Sequence, residues 1–396
     1  MSVAGSREPT RTPEVPLRRK PVVAAASLAV ATLVALAGCG APAPPSSSAP
    51  SGGADAKTAK DAAALGGMSG LESACKTEGK LNVIALPPDW ANYGKIIDAF
   101  KAKYGVTVES AQPDANSQDE INAAKQLAGT DRAPDVFDLG QGVALANTGM
   151  YAPYKVTAFD QIPAPFKDAS GVWVNDYGGY MSVGYDAKKV PAVTSLADLL
   201  KPEYKGKIAL NGDPTQASAG YNGVLMASIA NGGSADDIAP GVDYFKKLAT
   251  AGNFLPVDPT PATIESGQTP VVFDWDYLQA AQVDKLKAKG IDWKIYVPEN
   301  AVVGGYYYQA INADAPHPAC ARLWQEYLYT PDGQNEFLRG GARPVLADQM
   351  KSANTLDTAA FAKLPPVTGS PVVSNADQVK KGTDVLNSTW KTAVGG

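Results

Sequence analysis

"KLNVIALPPDWANYGKIIDAFKAKYGVTV", Lys80 to Val108, is the stretch on which the fold turns. "KLNVIAL" reads as a strand, an apolar run stopped by Pro87 and Pro88. Tyr93 to Tyr104 then places Ile96, Ile97, Phe100 and Tyr104 at helical spacing, and "GVTVESA" reads as a second strand. Ser117 to Leu127 follows as a helix, opened by a capping box of Ser117 with Glu120. "APDVFDLG" is a third strand, ending at Asp138 and Gly140. The order strand–helix–strand–helix–strand predicts an α/β fold, a parallel sheet with helices on both faces.

A second pass of the same kind lies further on. "GYMSVGYD", "KIALNGDP", "TPVVFDWDY" and "VGGYYYQAIN" read as strands. "SLADLLKPEYKG", Ser218 to Ala230, "GVDYFKKLATAG" and "PACARLWQEYLYT" read as helices. Two passes suggest two similar lobes. Ligands of open α/β sheets bind outside the carboxyl ends of strands. The loops to watch are therefore 87–93, 138–142, 211–221 and 274–277.

The composition allows this reading. The chain has 396 residues, 45% hydrophobic and 19% charged, enough for two lobes around sizeable cores. Net charge is −5 and no basic block occurs beyond the N-terminal segment, which argues against a nucleic-acid partner. At the N-terminus, Arg18, Arg19 and Lys20 precede the apolar "PVVAAASLAVATLVALA", the pattern of a secretory signal. Residues 41–68 are Pro, Ser, Gly and Ala with almost no large apolar side chain, which predicts a flexible tether. No later segment is long and apolar enough to span a bilayer, about 18 residues or more.

Chemical motifs are sparse. The one histidine, His317, stands between two prolines and reads as a turn or cap residue. No nucleophile is marked to accompany it, and CxxC pairs, P-loops and strand-linked GxGxxG motifs are absent, so an enzyme is not expected. Asp274 and Asp276 would face the same side of a strand. What the strand-end loops share is aromatic rings beside acids: Asp89, Trp90 and Tyr93; Asp138; Asp213 and Tyr221; Asp274, Trp275, Asp276 and Tyr277. Trp173, Asp176, Tyr177 and Tyr180 add a further set. Aromatic faces with carboxylates favour a cationic ligand. Ser218 to Gly220 opens a helix and offers an anion cradle as the competing signal.

These features resemble a known family. "LAGCG", Leu36 to Gly40, resembles the lipobox of bacterial lipoproteins, which implies a signal peptide over 1–38, lipidation of Cys39 and a tether over 39–69. Cys75 and Cys320 then remain, and an exported compartment permits a disulfide between them; two buried thiols that never meet are the alternative. "APDVFDLG", "WVNDYGGYMSVGYD", "LLKPEYKGKIALNGDP", "TPVVFDWDY" and "YYYQAINADAPHPACARLWQEYLYTPDGQNEFL" resemble the extracellular solute-binding proteins of ABC importers. The likeness is to the type II cluster with iron(III)-, polyamine-, thiamine- and phosphonate-binding members.

The resemblance implies a two-lobed periplasmic-binding-protein (venus flytrap) type II fold with a hinge and an interlobe cleft. By analogy lobe 1 is 70–178 plus 276–316, and lobe 2 is 179–275 plus 317–396. It further implies a monomer without cofactor or metal, lipid-anchored on the outer face of the bacterial cell membrane. Its partners would be a small solute and a permease with a cytoplasmic ATPase. Trp90, Tyr93, Trp275 and Tyr277 are expected to wall the ligand, with Asp89 or Asp276 pairing its charge. Asp138, Asp176, Tyr177, Asp213, Ser218 and Tyr221 complete the expected set. The solute is expected to be polyamine-like, with iron(III), phosphonate, sugar phosphate or thiamine as alternatives. An enzyme or cell-envelope factor on the same fold is the alternative of a different class. Tyr306 to Tyr308 do not match the tyrosine motif of the iron-binding members and read as strand packing.

Overall fold

The computed structural model describes residues 55–395 except Pro366, Gly369 and Ser370. The expected signal peptide, Cys39 and the expected tether up to residue 54 lie outside the described residues. From Asp55 on, the tether assignment is corrected. Ala59 and Ala62 are buried, and Arg322 donates to the carbonyls of Ala59 and Lys57, both at 2.9 Å. One buried guanidinium with two backbone acceptors is enough to fix a segment that lacks apolar bulk.

The chain then runs α1 (Gly67–Glu78), β1 (Lys80–Ile84), α2 (Tyr93–Tyr104) and β2 (Thr107–Ala111). α2 buries Tyr93, Ile96 and Phe100, and Gly105 ends it in the left-handed conformation. β1 and β2 pair in parallel, Lys80 opposite Thr107 through Ile84 opposite Ala111. α3 (Ser117–Gln126) is capped by Asn116 with Asp119, one residue earlier than the expected box. Ser117 and Glu120 are thereby freed for other work: Ser117 Oγ accepts from Gly140 N–H (2.9 Å), and Glu120 accepts from Asp138 N–H (3.0 Å).

β3 (Val136–Leu139), α4 (Gln141–Ala146), β4 (Tyr151–Ala152) and β5 (Val174–Asp186) follow. Next come β6 (Ile208–Leu210), α5 (Ser218–Ala230), α6 (Ala239–Thr250), α7 (Pro261–Ser266) and β7 (Val271–Trp275). α8 (Asp276–Ala288), β8 (Trp293–Tyr296), β9 (Gly304–Asn312), α9 (Pro318–Leu328), α10 (Pro331–Arg339) and β10 (Arg343–Pro344) complete the sheets. Among the described residues three α-helices remain: α11 (Ala347–Ser352), α12 (Thr358–Phe361) and α13 (Ala376–Val394).

The sheet is mixed rather than parallel. Its order is β3-β9-β5-β7-β6, with β4 on β9 and with β8 and β10 on β5. β9 takes the place beside β3, in antiparallel register from Val136–Ile311 to Leu139–Tyr308. β1 is joined to the start of β3 by two bonds rather than a full ladder: Asp135 N–H donates to the Asn82 carbonyl (2.9 Å), and Asp135 Oδ2 accepts Asn82 N–H (2.6 Å).

β5 is the spine of the two-lobed arrangement. Its first half pairs with β9 and its second half with β7 and β8. The lobe boundaries expected from analogy change accordingly. β8 pairs with Val183–Asp186, so the segment after Trp275 stays with the second half of β5 until β9 begins. α9 packs on α1, where Cys75 and Cys320 form a disulfide with Cα atoms 4.4 Å apart, so it belongs with the N-terminal elements. α13 packs on α6 and reaches across to α4. Among the described residues no helix is long and apolar enough to cross a membrane.

Candidate functional site

A buried aromatic–acid cluster forms where the two halves of β5 meet. The β1–α2 loop enters it with three non-glycine residues at positive φ: Ala85, Ala91 and Asn92 (55°, 45° and 66°). Strain of this kind persists only where surrounding contacts hold it. Here Asn92 is held by Glu336, 2.8 Å from its side-chain nitrogen. The result is that Trp90 turns inward. Its Nε1 donates to the Tyr177 hydroxyl (2.7 Å), which donates to Asp138 Oδ2 (2.9 Å). Tyr93 accepts from Gln309 Nε2 (2.9 Å) and faces Asp176 Oδ2 at 3.4 Å.

Asp176 and Tyr177 sit in a register shift of the β5–β9 ladder, between Asn175 and Gly178. Such an irregularity re-aims the side chains it carries. The rings close on one another: Trp90 lies 6.2 Å from Tyr277 and 5.6 Å from Tyr307, and Tyr177 stacks on Tyr307 at 5.4 Å. Trp275 stacks on Tyr277 at 6.3 Å. Two glycines make room. A Cβ at Gly179 would lie 2.5 Å from the Tyr277 ring, and one at Gly305 would lie 2.5 Å from the Trp275 ring.

The cluster is acidic and lacks basic side chains. Burial pushes the Asp138 carboxyl up to about 7, against the hydrogen bonds of Tyr177 and Tyr93 that favour its charge. Burial, then the neighbouring Asp138, raises Asp176 well above the carboxylate range, and the same two causes raise Glu120. Asp274 is also pushed up to about 7 by burial, although its Oδ1 accepts from Asn211 and from Trp275 N–H, both at 2.8 Å. Four buried polar atoms here have no hydrogen-bond partner among the described residues: Asp138 Oδ1, Gln309 Oε1, Trp275 Nε1 and Tyr277 OH. Buried orphans are rare and costly, about 1–3 kcal/mol each, and four in one cluster mark a place prepared for something else.

The expected residues divide. Trp90, Tyr93, Asp138, Asp176, Tyr177, Trp275 and Tyr277 come together in this cluster. Asp89 does not: it is exposed and pairs with Lys285 at 2.9 Å. Asp276 is buried, but Arg343 holds its Oδ2 at 2.6 Å and Tyr180 N–H its Oδ1 at 2.8 Å, so its charge is already matched. β7 ends at Trp275 and Asp276 opens α8, so the two acids do not share a strand face. Asp274 is the open one. Asp213 closes its own turn on Thr215.

Ser218 and Tyr221 line a separate cavity of about 540 Å³ with Gly140, Gln141, Val379 and Lys380. There Ser218 abuts Gly140, and α5 begins without a side-chain cap. His317 is a clamp rather than a bare turn residue, 2.9 Å from Asp135 and 3.1 Å from Asp131. Sequence reasoning missed Tyr307 and Gln309 as members, and it counted Asp274 among the strand-end acids but left it out of the expected ligand set. The outer tyrosines do pack, Tyr306 on Phe166 and Tyr308 on Trp173, but Tyr307 on the opposite face enters the cluster. The Gly304–Gly305 pair before it was the available signal. No group of three or more His, Cys, Asp or Glu side chains is placed to hold a metal ion among the described residues.

The family model of the bacterial extracellular solute-binding proteins matches residues 134–365, more than half of the chain. The chain belongs to that family. The model describes bacterial extracellular solute-binding proteins. Solved structures agree in fold. The periplasmic binding protein AgtB from A. tumefacien R10, in complex with agropinic acid, is 16% identical, with 80% of this chain and 99% of that one covered and a TM-score of 0.63. The ferric binding protein from Campylobacter jejuni is 15% identical over 79% and 99%, with a TM-score of 0.59. The spermidine/putrescine-binding protein PotD from Streptococcus pneumoniae is 15% identical over 80% and 99%, with a TM-score of 0.53. Among curated proteins none matches. At these identities the likeness shows the fold, the type II two-lobed arrangement.

Proposed function

We propose that the protein is the solute-binding subunit of an ABC importer and that its solute is a small, polyamine-like cation. The chain is exported, held at the outer face of the membrane by lipid on Cys39, and hands its solute to a permease driven by a cytoplasmic ATPase. Lobe 1 comprises roughly residues 55–180 and 304–365, and lobe 2 roughly 181–303 and 371–395, as the strand pairing of β5 divides them. The solute seats between them, and hinge closure brings the walls together.

The carrying observation is the buried cluster itself. Trp90, Tyr177 and Asp138 come from lobe 1 and Trp275 and Asp274 from lobe 2, with unpartnered polar atoms from both. Aromatic faces and carboxylates without basic neighbours favour a positive charge. PotD, a spermidine/putrescine-binding protein, shares the fold.

A second reading has its own observation. The uncapped start of α5 opens on the 540 Å³ cavity and suits an anion. A thermal-shift panel on the purified protein separates the two: putrescine, spermidine, thiamine, iron(III) citrate, aminoethylphosphonate and fructose 6-phosphate. A ligand at 100 times its dissociation constant adds about 2.7 kcal/mol. A shift with amines, lost in Trp90→Ala, supports the first reading; a shift with phosphorylated anions alone replaces it by the second. Recovery of the amine unchanged after incubation separates binding from turnover.

A further inference from the structure

We propose that residues 371–395 are a strap that walls the interlobe cavity, travels with lobe 2 and latches onto lobe 1 at Gln141 and Gly142, so that solute enters and leaves only when the latch opens. The inference rests on the two-lobed division proposed above. It holds for a cationic and an anionic solute alike, since either is captured by closure of the lobes.

The cavity of about 540 Å³ is lined from three directions. Residues from Gly140 to Ala146, at the start of α4, line it from lobe 1, and residues from Pro214 to Asn222, leading into α5, line it from lobe 2. The two lobes meet there, for a Cβ on Gly140 would lie 2.4 Å from that of Ser218. The third lining element is α13, with Asp377, Lys380, Thr383, Asp384 and Asn387. Lys380 pairs with Asp384 at 2.8 Å, so the strap brings both signs of charge and does not itself select a cation or an anion. The strap also lies beyond residue 365, where the family match ends.

Its attachments are unequal. At the root, the Val372 carbonyl accepts from Gly304 N–H (2.9 Å) and Val372 N–H donates to the Val302 carbonyl (2.8 Å), where the chain passes from lobe 2 into β9. On the lobe 2 side the contact is broad and apolar. Leu386 and Trp390 are buried, Trp390 packs on Phe245 and Phe254, and a Cβ on Gly382 would lie 2.6 Å from the Tyr221 hydroxyl. Gln378 adds two polar bonds: its carbonyl accepts from the Tyr221 hydroxyl (3.3 Å), and its side-chain amide donates to Asp236 (3.2 Å). On the lobe 1 side the contact is thin. Gln141 Nε2 donates to the Ser374 carbonyl (2.7 Å), and Gly142 faces Val379 and Thr383, 3.2 Å and 4.0 Å from where its Cβ would stand.

The weaker seam yields first. One hydrogen bond adds little net stability, whereas a buried aromatic side chain is worth several times more. When the lobes part about the hinge, the strap therefore leaves with lobe 2, and closure sets all three walls at once. Gly142 suits this seam because any side chain there would push α4 and α13 apart.

Scattering and solute kinetics on the purified full-length protein test the latch. Gly142→Cys with Val379→Cys puts two thiols within disulfide reach and should lock it on oxidation. Gly142→Leu wedges it from lobe 1 and Thr383→Trp from the strap, so a folding failure in one leaves the other. Small-angle scattering needs no ligand: the oxidised pair should be compact and the wedged variants more extended. A folded wedged variant as compact as the oxidised pair overturns the proposal, because α4 and α13 then separate without parting the lobes. Stopped-flow tryptophan fluorescence reads the solute, with spermidine and fructose 6-phosphate as probes. Whichever binds the native protein should associate at least about tenfold more slowly with the oxidised pair, recover on reduction, and leave Gln141→Ala about two- to tenfold faster. The native protein under the same reductant is the control for the Cys75–Cys320 bond. Unchanged association with the oxidised pair overturns the strap. If neither probe binds the native protein, the solute assignment falls, and the scattering alone decides on the strap.

Discussion

Removal of the Cys75–Cys320 bond should cost this protein about as much as any single change can. The two residues lie 245 positions apart, in α1 and α9, with both side chains fully buried. In the chain-entropy model, a cross-link closing a loop of that length withholds about 5 kcal/mol of freedom from the unfolded chain. The packing lost in a Cys75→Ala/Cys320→Ala variant is small beside that, because each change deletes one sulfur. We therefore expect a loss of about 4–5 kcal/mol in urea unfolding followed by tryptophan fluorescence. The denaturant slope should rise, since the uncrosslinked chain exposes more surface when unfolded. Reduction of the native protein should reproduce both effects. A loss below about 1 kcal/mol with an unchanged slope would refute the reasoning, and would mean that the unfolded chain keeps α1 and α9 together without the bond.

Three further outcomes follow from the same structure. His317 is raised above its ordinary value, chiefly by its hydrogen bond to Asp135, so its contribution is complete below about pH 6.5 and is lost as pH rises through the folded value; His317→Gln should therefore lower the urea midpoint more at about pH 6 than at about pH 9, and an equal loss at both would contradict this. Arg343→Met should destabilise by about 3–5 kcal/mol because it strands the buried Asp276, and adding Asp276→Asn should recover much of that; a chemical-denaturation cycle on the two changes decides. Trp390→Ala should cost about 3–5 kcal/mol in the same assay, since the indole packs 5.3 Å from Phe245 and 6.2 Å from Phe254 and anchors α13 to α6.

How much of this was legible beforehand depends on how local each feature is. α2 was, because Tyr93, Ile96 and Phe100 repeat at the helix period and Gly105 ends the run. Most strands were, because their apolar runs are bounded by Pro and Gly. The capping box was misplaced by one residue because Asn116–Asp119 and Ser117–Glu120 fit the same local rule equally well. What separated them was the demand of Gly140 and Asp138 for acceptors, groups about twenty residues away.

The candidate site divides along the same line. The sequence by itself determined that strand-end loops carry rings and acids, because a strand's end and its side-chain chemistry are both local properties. It could not determine which acid stays open. Asp89, Asp274 and Asp276 are alike as letters. Lys285 neutralises the first and Arg343 the third, and those pairings join positions 196 and 67 residues apart. Tyr307 likewise looked like its neighbours until the register of β9 against β5 turned it inward. Charge balance and facing are decided by which distant residue arrives alongside, and that is settled only when the chain has folded.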